Sequence, residues 1–161
     1  MTAGRRVLLP TDEDTRALGE SLGRVLRAGD LVVLTGDLGA GKTTLTQGLA
    51  HGLGVRGPIT SPTFVIARVH PSLVDGPALV HADAYRLGGE AELDDLDLDE
   101  SLADSVTVVE WGHGLAEHVA DDRLEVVLER SGSTEADQQA RTATLVGHGP
   151  RWAGVDLPGR A

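Results

Sequence analysis

Apolar and polar residues follow two rhythms along this chain. Val7-Leu8-Leu9 is a short apolar run stopped by Pro10, which predicts a strand. Thr11 then reads as a helix N-cap, with Asp12, Glu13 and Asp14 in the first turn, where carboxylates favour the positive helix end. Leu18, Leu22, Val25 and Leu26 supply the apolar stripe of that helix, and Gly29 is expected to close it. Leu31-Val32-Val33-Leu34 is continuously apolar between turn residues, the pattern of a strand covered on both faces. A second helix is predicted from about Lys42 to Leu53, ending among Gly52 and Gly54. Beyond it, residues 64–69 alternate as a strand does, 71–77 form a turn region, and 79–82 and 106–109 read as further strands. Residues 90–102 are acidic with leucines interleaved, the pattern of one helix or two short ones, and 113–119 fit a short helix. Residues 124–128 and 141–146 predict a C-terminal β-hairpin around the polar stretch 131–139.

Strands alternating with helices predict an α/β fold. Neither repeats nor linkers interrupt the pattern, so residues 1–161 are expected to form one domain, with a core over about 7–147 and a loosely held tail over 148–161. Composition narrows the function. The net charge is −11, from 14 basic and 25 acidic residues, which lacks the basic footprint of an autonomous nucleic-acid binder. There are no cysteines, which excludes disulfides, Cys-ligated zinc and thiol catalysis. No apolar run reaches the ~18 residues of a membrane helix, and the stretch before Pro10 is too short for a signal segment. A cytoplasmic protein is the expectation. The basic residues comprise 13 arginines and one lysine, Lys42; the aromatic residues are Phe64, Tyr85, Trp111 and Trp152.

That lysine lies in Gly36-Asp37-Leu38-Gly39-Ala40-Gly41-Lys42-Thr43, which matches the Walker A pattern G-x-x-x-x-G-K-[ST] between a predicted strand and helix. Glycines let the backbone turn its N–H groups into one concavity, and the following helix aims its positive end there. Lys42 adds a compact cation for the β and γ phosphates, which a planar guanidinium would fit badly. The Thr43 hydroxyl can ligate magnesium. An Asn-Lys-x-Asp guanine reader would need a second lysine, so ATP is the expected nucleotide. Magnesium also needs an acid at a strand end beside the loop. Two candidates fit: Asp83 after 79–82, and Glu110 after the more apolar 106–109. Ser61-Pro62-Thr63-Phe64 could place a hydroxyl where it senses the γ-phosphate.

Other patterns fail. His113 and His118 are five apart, not the four that puts two ligands on one helical face. Asp95-Leu96-Asp97-Leu98-Asp99 begins like a calcium loop, but Glu100 and Val106 stand where glycine and glutamate are required. No serine sits in a nucleophile elbow. The acidic stretch 90–104 reads as a solvated face or a partner surface.

G-D-L-G-A-G-K-T-T, S-P-T-F, H-A-D-A-Y-R-L and V-E-W, in this order and at these separations, resemble the TsaE family over residues 7–146. These are small P-loop ATPases of bacterial tRNA threonylcarbamoyladenosine biosynthesis. The resemblance implies a P-loop NTPase fold, a mixed twisted sheet with helices on both faces. It implies that Gly36 and residues 39–44 (Gly39, Ala40, Gly41, Lys42, Thr43, Thr44) hold the phosphates, that Thr43 and Glu110 ligate Mg2+, and that Asp83 lies beside the triphosphate and the attacking water. Thr63 would belong to a switch-like loop, Trp111 would pack near the nucleotide, and Asp12 would lie near the base. Lys42, Asp83 and Glu110 would form the catalytic set of a slow, partner-stimulated ATPase. The implied partners are the threonylcarbamoyl transferase subunit and its non-catalytic paralogue, with tRNA held only through that complex. Gly112 follows Trp111 where relatives commonly have proline, which loosens that turn. A small-molecule kinase and a non-enzymatic ATP-gated interaction module remain as alternatives.

Overall fold

The description covers residues 3–36, 41–55, 57, 67–83, 104–110, 122–130, 140–153, 155 and 157 of a computed structural model. Among these residues the chain runs through β1 (Ala3–Leu9), α1 (Asp12–Val25), β2 (Leu31–Gly36), α2 (Lys42–Leu53), β3 (Ala67–His70), β4 (Ala78–Asp83), β5 (Ser105–Glu110), β6 (Arg123–Arg130) and β7 (Arg141–His148). The strands form a seven-stranded sheet in the order β1-β7-β6-β2-β5-β4-β3. Its centre is parallel, with β2 between β5 and β6 and β4 beyond β5. The outer pairings are antiparallel: β3 on β4, β7 on β6 and β1 on β7. The β6–β7 pairing is the predicted hairpin, in register from Arg123 opposite His148 to Arg130 opposite Arg141.

Alternate residues of a strand face opposite sides of the sheet. Val7 and Leu9, Val32 and Leu34, Val106 and Val108, Leu124, Val126 and Leu128, and Ala143 and Leu145 share one face. There they pack with Leu18 and Leu22 of α1 and Leu45 and Leu49 of α2. The other face buries Leu31, Val33, Val80 and Val109, as the continuous run in β2 predicted. Both described helices lie on the first face. The helices predicted at 90–102 and 113–119 lie outside the described residues.

The helix ends follow local chemistry. Thr11 and Asp14 form a reciprocal capping box: the Asp14 N–H donates to Thr11 Oγ1 (3.2 Å) and the Thr11 N–H donates to Asp14 Oδ2 (3.0 Å). The other end corrects the expectation. Helix α1 stops at Val25, and Leu26 turns extended into the core, four residues before the predicted end at Gly29. Gly29 instead serves a tight turn at φ +97°, closed by the Asp30 N–H on the Arg27 carbonyl (3.0 Å), that feeds β2. Helix α2 has the predicted bounds; Gly54, at φ +77°, closes it on the Ala50 and His51 carbonyls.

Helices α1 and α2 meet through glycine on both sides, a feature absent from the sequence reading. A methyl group on Gly19 would lie 2.9 Å from the Leu49 nitrogen, and one on Gly23 2.9 Å from the Leu53 nitrogen. In return, methyls on Gly48 and Gly52 would strike the backbone of Arg16 and Glu20. The two backbones are in contact, and no side chain larger than hydrogen fits between them.

The tail is a second correction. Trp152 is 1% exposed and Leu157 is also buried, both within the core cluster expected to end near residue 147. Trp152 lies across β7 at Gly147, where a methyl would sit 2.6 Å from the Trp152 Cβ. Arg151 donates from Nε to Asp30 Oδ1 (2.8 Å), and from Nη2 to Asp30 Oδ2 (2.9 Å) and the Val25 carbonyl (3.1 Å). The segment thereby ties the end of α1 and the start of β2 together. A scarcity of aromatics had hidden this role, because the single large side chain in the segment does the packing of several small ones.

Candidate functional site

Parallel strands β6, β2, β5 and β4 end at the same edge of the sheet, and the predicted chemistry collects there. Open α/β sheets bind ligands outside the carboxyl ends of such strands. Gly36 is the last residue of β2, and Glu110, the last of β5, lies beside β2 with Leu34 as its register partner. Asp83 ends β4 as the register partner of Glu110. The two predicted strand ends are thus adjacent in the sheet, with positions 83 and 110 in register.

Gly41 is the N-cap of α2 in the left-handed region (φ +97°, ψ 15°), where glycine is at ease. Gly41 makes no side-chain cap, and the positive dipole end of α2 lies at the end of a central strand, an arrangement that suits an anion. Lys42, only 8% exposed, donates from Nζ to the Gly36 carbonyl at 2.5 Å, which holds the ammonium at the exit of β2. The Thr46 hydroxyl closes back on the Lys42 carbonyl at 2.8 Å and steadies the first turn.

Glu110 is 3% exposed, and its Oε2 lies 2.8 Å from Nε2 of His81, which is fully buried. A buried carboxylate among Leu34 and Val108 would be costly without such a partner. His81 was missed in the sequence; the signal was there, because His81 and Asp83 are two apart on one strand and therefore share a face. Arg141, 7% exposed at the start of β7, was missed too. Its Nε and Cγ pass 3.8 and 3.9 Å from where a methyl on Gly41 would lie, and Thr15 Cγ2 of α1 approaches the same point at 3.6 Å. No local signal marks Arg141, because only the fold carries β7 to the phosphate loop.

Asp12 is the first residue of α1, exposed, one turn before Thr15 and so at the end of α1 nearest the loop. Gly39, Ala40, Thr63 and Trp111 lie outside the described residues, as does the Gly112 turn. Among the described residues no group of three or more His, Cys, Asp or Glu side chains could hold a metal by itself. Magnesium binds through one or two protein oxygens together with phosphates and water. A buried carboxylate oxygen and a threonine hydroxyl at a helix start are hard oxygen donors of this kind.

A glycine-bounded loop between a central parallel strand and an uncapped helix, on a mixed seven-stranded sheet, defines the P-loop NTPase fold. The family model described as threonylcarbamoyl adenosine biosynthesis protein TsaE matches residues 9–141, and the chain belongs to that family. It is 62% identical to the tRNA threonylcarbamoyladenosine biosynthesis protein TsaE of Streptomyces coelicolor, over 88% of this chain and 96% of that protein. The proteins of the same name from Mycobacterium tuberculosis and Bacillus subtilis are 54% and 41% identical, over 81% and 84% of this chain and 82% of each of those proteins. The crystal structure of Bacillus subtilis YdiB superposes with a TM-score of 0.75 at 32% identity, covering 95% of this chain and 91% of that one. No helix among the described residues is long and apolar enough to cross a membrane.

Proposed function

We propose that this protein binds ATP with magnesium at the carboxyl end of β2 and hydrolyses it slowly, in the cytoplasm, as part of tRNA threonylcarbamoyladenosine biosynthesis. The observation that carries the reading is the α2 start: a left-handed glycine N-cap at the end of a central parallel strand, with Lys42 buried at the exit of β2. The names borne by its relatives support the pathway.

The residues divide the work by position. The N–H groups at the start of α2 and the Lys42 ammonium receive the β and γ phosphates. Arg141, against Gly41, adds a second cation beside the loop. Thr43 and Glu110 would hold the magnesium ion, which neutralises phosphate oxygens when bound. Asp83, at the end of β4 next to the end of β5, would orient water. Thr63 and Trp111 are proposed for the γ-phosphate-sensing loop and the nucleotide wall, and Asp12 for the neighbourhood of the base. With a charge of −11, the protein itself is a poor RNA binder. Its work falls on the threonylcarbamoyl transferase subunit and its non-catalytic paralogue, which ATP turnover would reset between rounds.

The test is ATP binding and phosphate release by the purified protein, alone and with those partner subunits. Weak activity alone that rises with the partners is expected. Lys42→Ala should weaken ATP binding about 10- to 100-fold, the worth of one charge-assisted hydrogen bond. Transfer of phosphate to a small hydroxylated acceptor without partners would replace this reading with that of a kinase. ATP binding without turnover, partners present, would replace it with an ATP-gated interaction module.

A further inference from the structure

His81 is a polar ring placed where none is needed for packing. It occupies a core-facing position in β4, in line with Leu79, and is as buried as the leucine. Its neighbour across the strand boundary is Val108, and the diagonal neighbour is Glu110, whose Oε2 its Nε2 meets at 2.8 Å. A carboxylate only accepts hydrogen bonds, so toward a carboxylate at Glu110 the ring donates from Nε2. Nδ1 then needs no proton, and it has no hydrogen-bond partner among the described residues. An unpaired lone pair in an apolar setting costs less than an unpaired N–H, so the surroundings favour this tautomer.

We propose that His81 is the positioning residue of Glu110: it clamps Oε2, sets the orientation of the carboxylate at the end of β5, and leaves Oε1 to the cation that accompanies the nucleotide. The assignment rests on reading Glu110 as a ligand of that cation. Partners of this kind, which hydrogen-bond a ligating side chain and fix its direction, govern metal affinity without touching the metal. The clamp is built into the sheet. Position 81 is diagonal to 110 through the parallel register of β4 and β5, so the imidazole reaches the carboxylate without any loop having to close.

The test compares His81→Leu, which removes the donor, with His81→Gln, whose amide nitrogen stands where Nε2 was. A fluorescent ATP analogue reports binding with and without magnesium, and 15N NMR of the imidazoles reports the tautomer in the metal-free wild type. His81→Leu is expected to raise the magnesium concentration for half-maximal nucleotide binding about 10- to 100-fold. Binding of the analogue without magnesium should be unchanged, and His81→Gln should recover most of the loss. The wild-type ring should be protonated on Nε2 alone. A wild-type magnesium midpoint in His81→Leu overturns the proposal. So does a His81 ring protonated on Nδ1 alone, or equal loss of magnesium-free binding in both variants. Two further results point elsewhere: no nucleotide binding by the wild type removes the ATP reading itself, and an unmoved midpoint in Glu110→Gln removes Glu110 as the ligand.

Discussion

Thr11 shows how a single side chain sets the geometry on which the site depends. Its hydroxyl accepts the Asp14 N–H while Asp14 returns to the Thr11 backbone, so α1 begins at Asp12 and brings Thr15 against Gly41. Thr11→Ala should lower unfolding stability by about 1 kcal/mol in urea, the usual worth of an N-cap. The opposite arrangement governs α2, whose N-cap glycine offers no side chain. That difference between a capped and an uncapped helix start is legible in the residues themselves. What single residues could not disclose is partnership. Glu110 reads in sequence as an acid leaving a strand, and only the β4–β5 register reveals that His81 holds it.

The paired helices carry a different lesson. Gly19 and Gly23 on α1 and Gly48 and Gly52 on α2 recur every four residues, so each pair lies on one helical face. Their contact sets where α2 lies and, with it, where Lys42 and the first-turn amides point. Gly48→Ala puts a methyl into the Arg16 backbone, which cannot yield as a side-chain end can. The expected cost is about 1–3 kcal/mol of stability from overpacking. Nucleotide binding should weaken as well, because α2 must move away from α1; chemical denaturation and ATP titration of the same variant check both. Helix propensity alone would predict the reverse sign, a gain of up to about 1 kcal/mol for replacing glycine with alanine.

Across the whole molecule, the C-terminal segment closes the fold. Trp152 lies on β7 at Gly147, and Arg151 neutralises Asp30, a buried carboxylate at the entrance to β2. Trp152→Ala should destabilise the protein by about 3–5 kcal/mol, the usual cost of deleting a buried large aromatic. A chain ending at Gly149 should melt at least as far below the wild type, whereas the loose tail read from the sequence would have left the melting temperature unchanged. Sequence alone was enough for the strand–loop–helix unit around Lys42, the bounds of α2, the Thr11 N-cap, the hairpin and the two strand-end acids. Each of these is decided by interactions within a few residues of the chain, where propensity, capping and periodicity act. Tertiary structure decided the rest: the end of α1 at Val25, the backbone contact of the helices, the place of Trp152, and the meeting of His81 with Glu110 and of Arg141 with the phosphate loop. Those depend on which strands become neighbours and in what register, and the energy that selects the register is spread over the whole core.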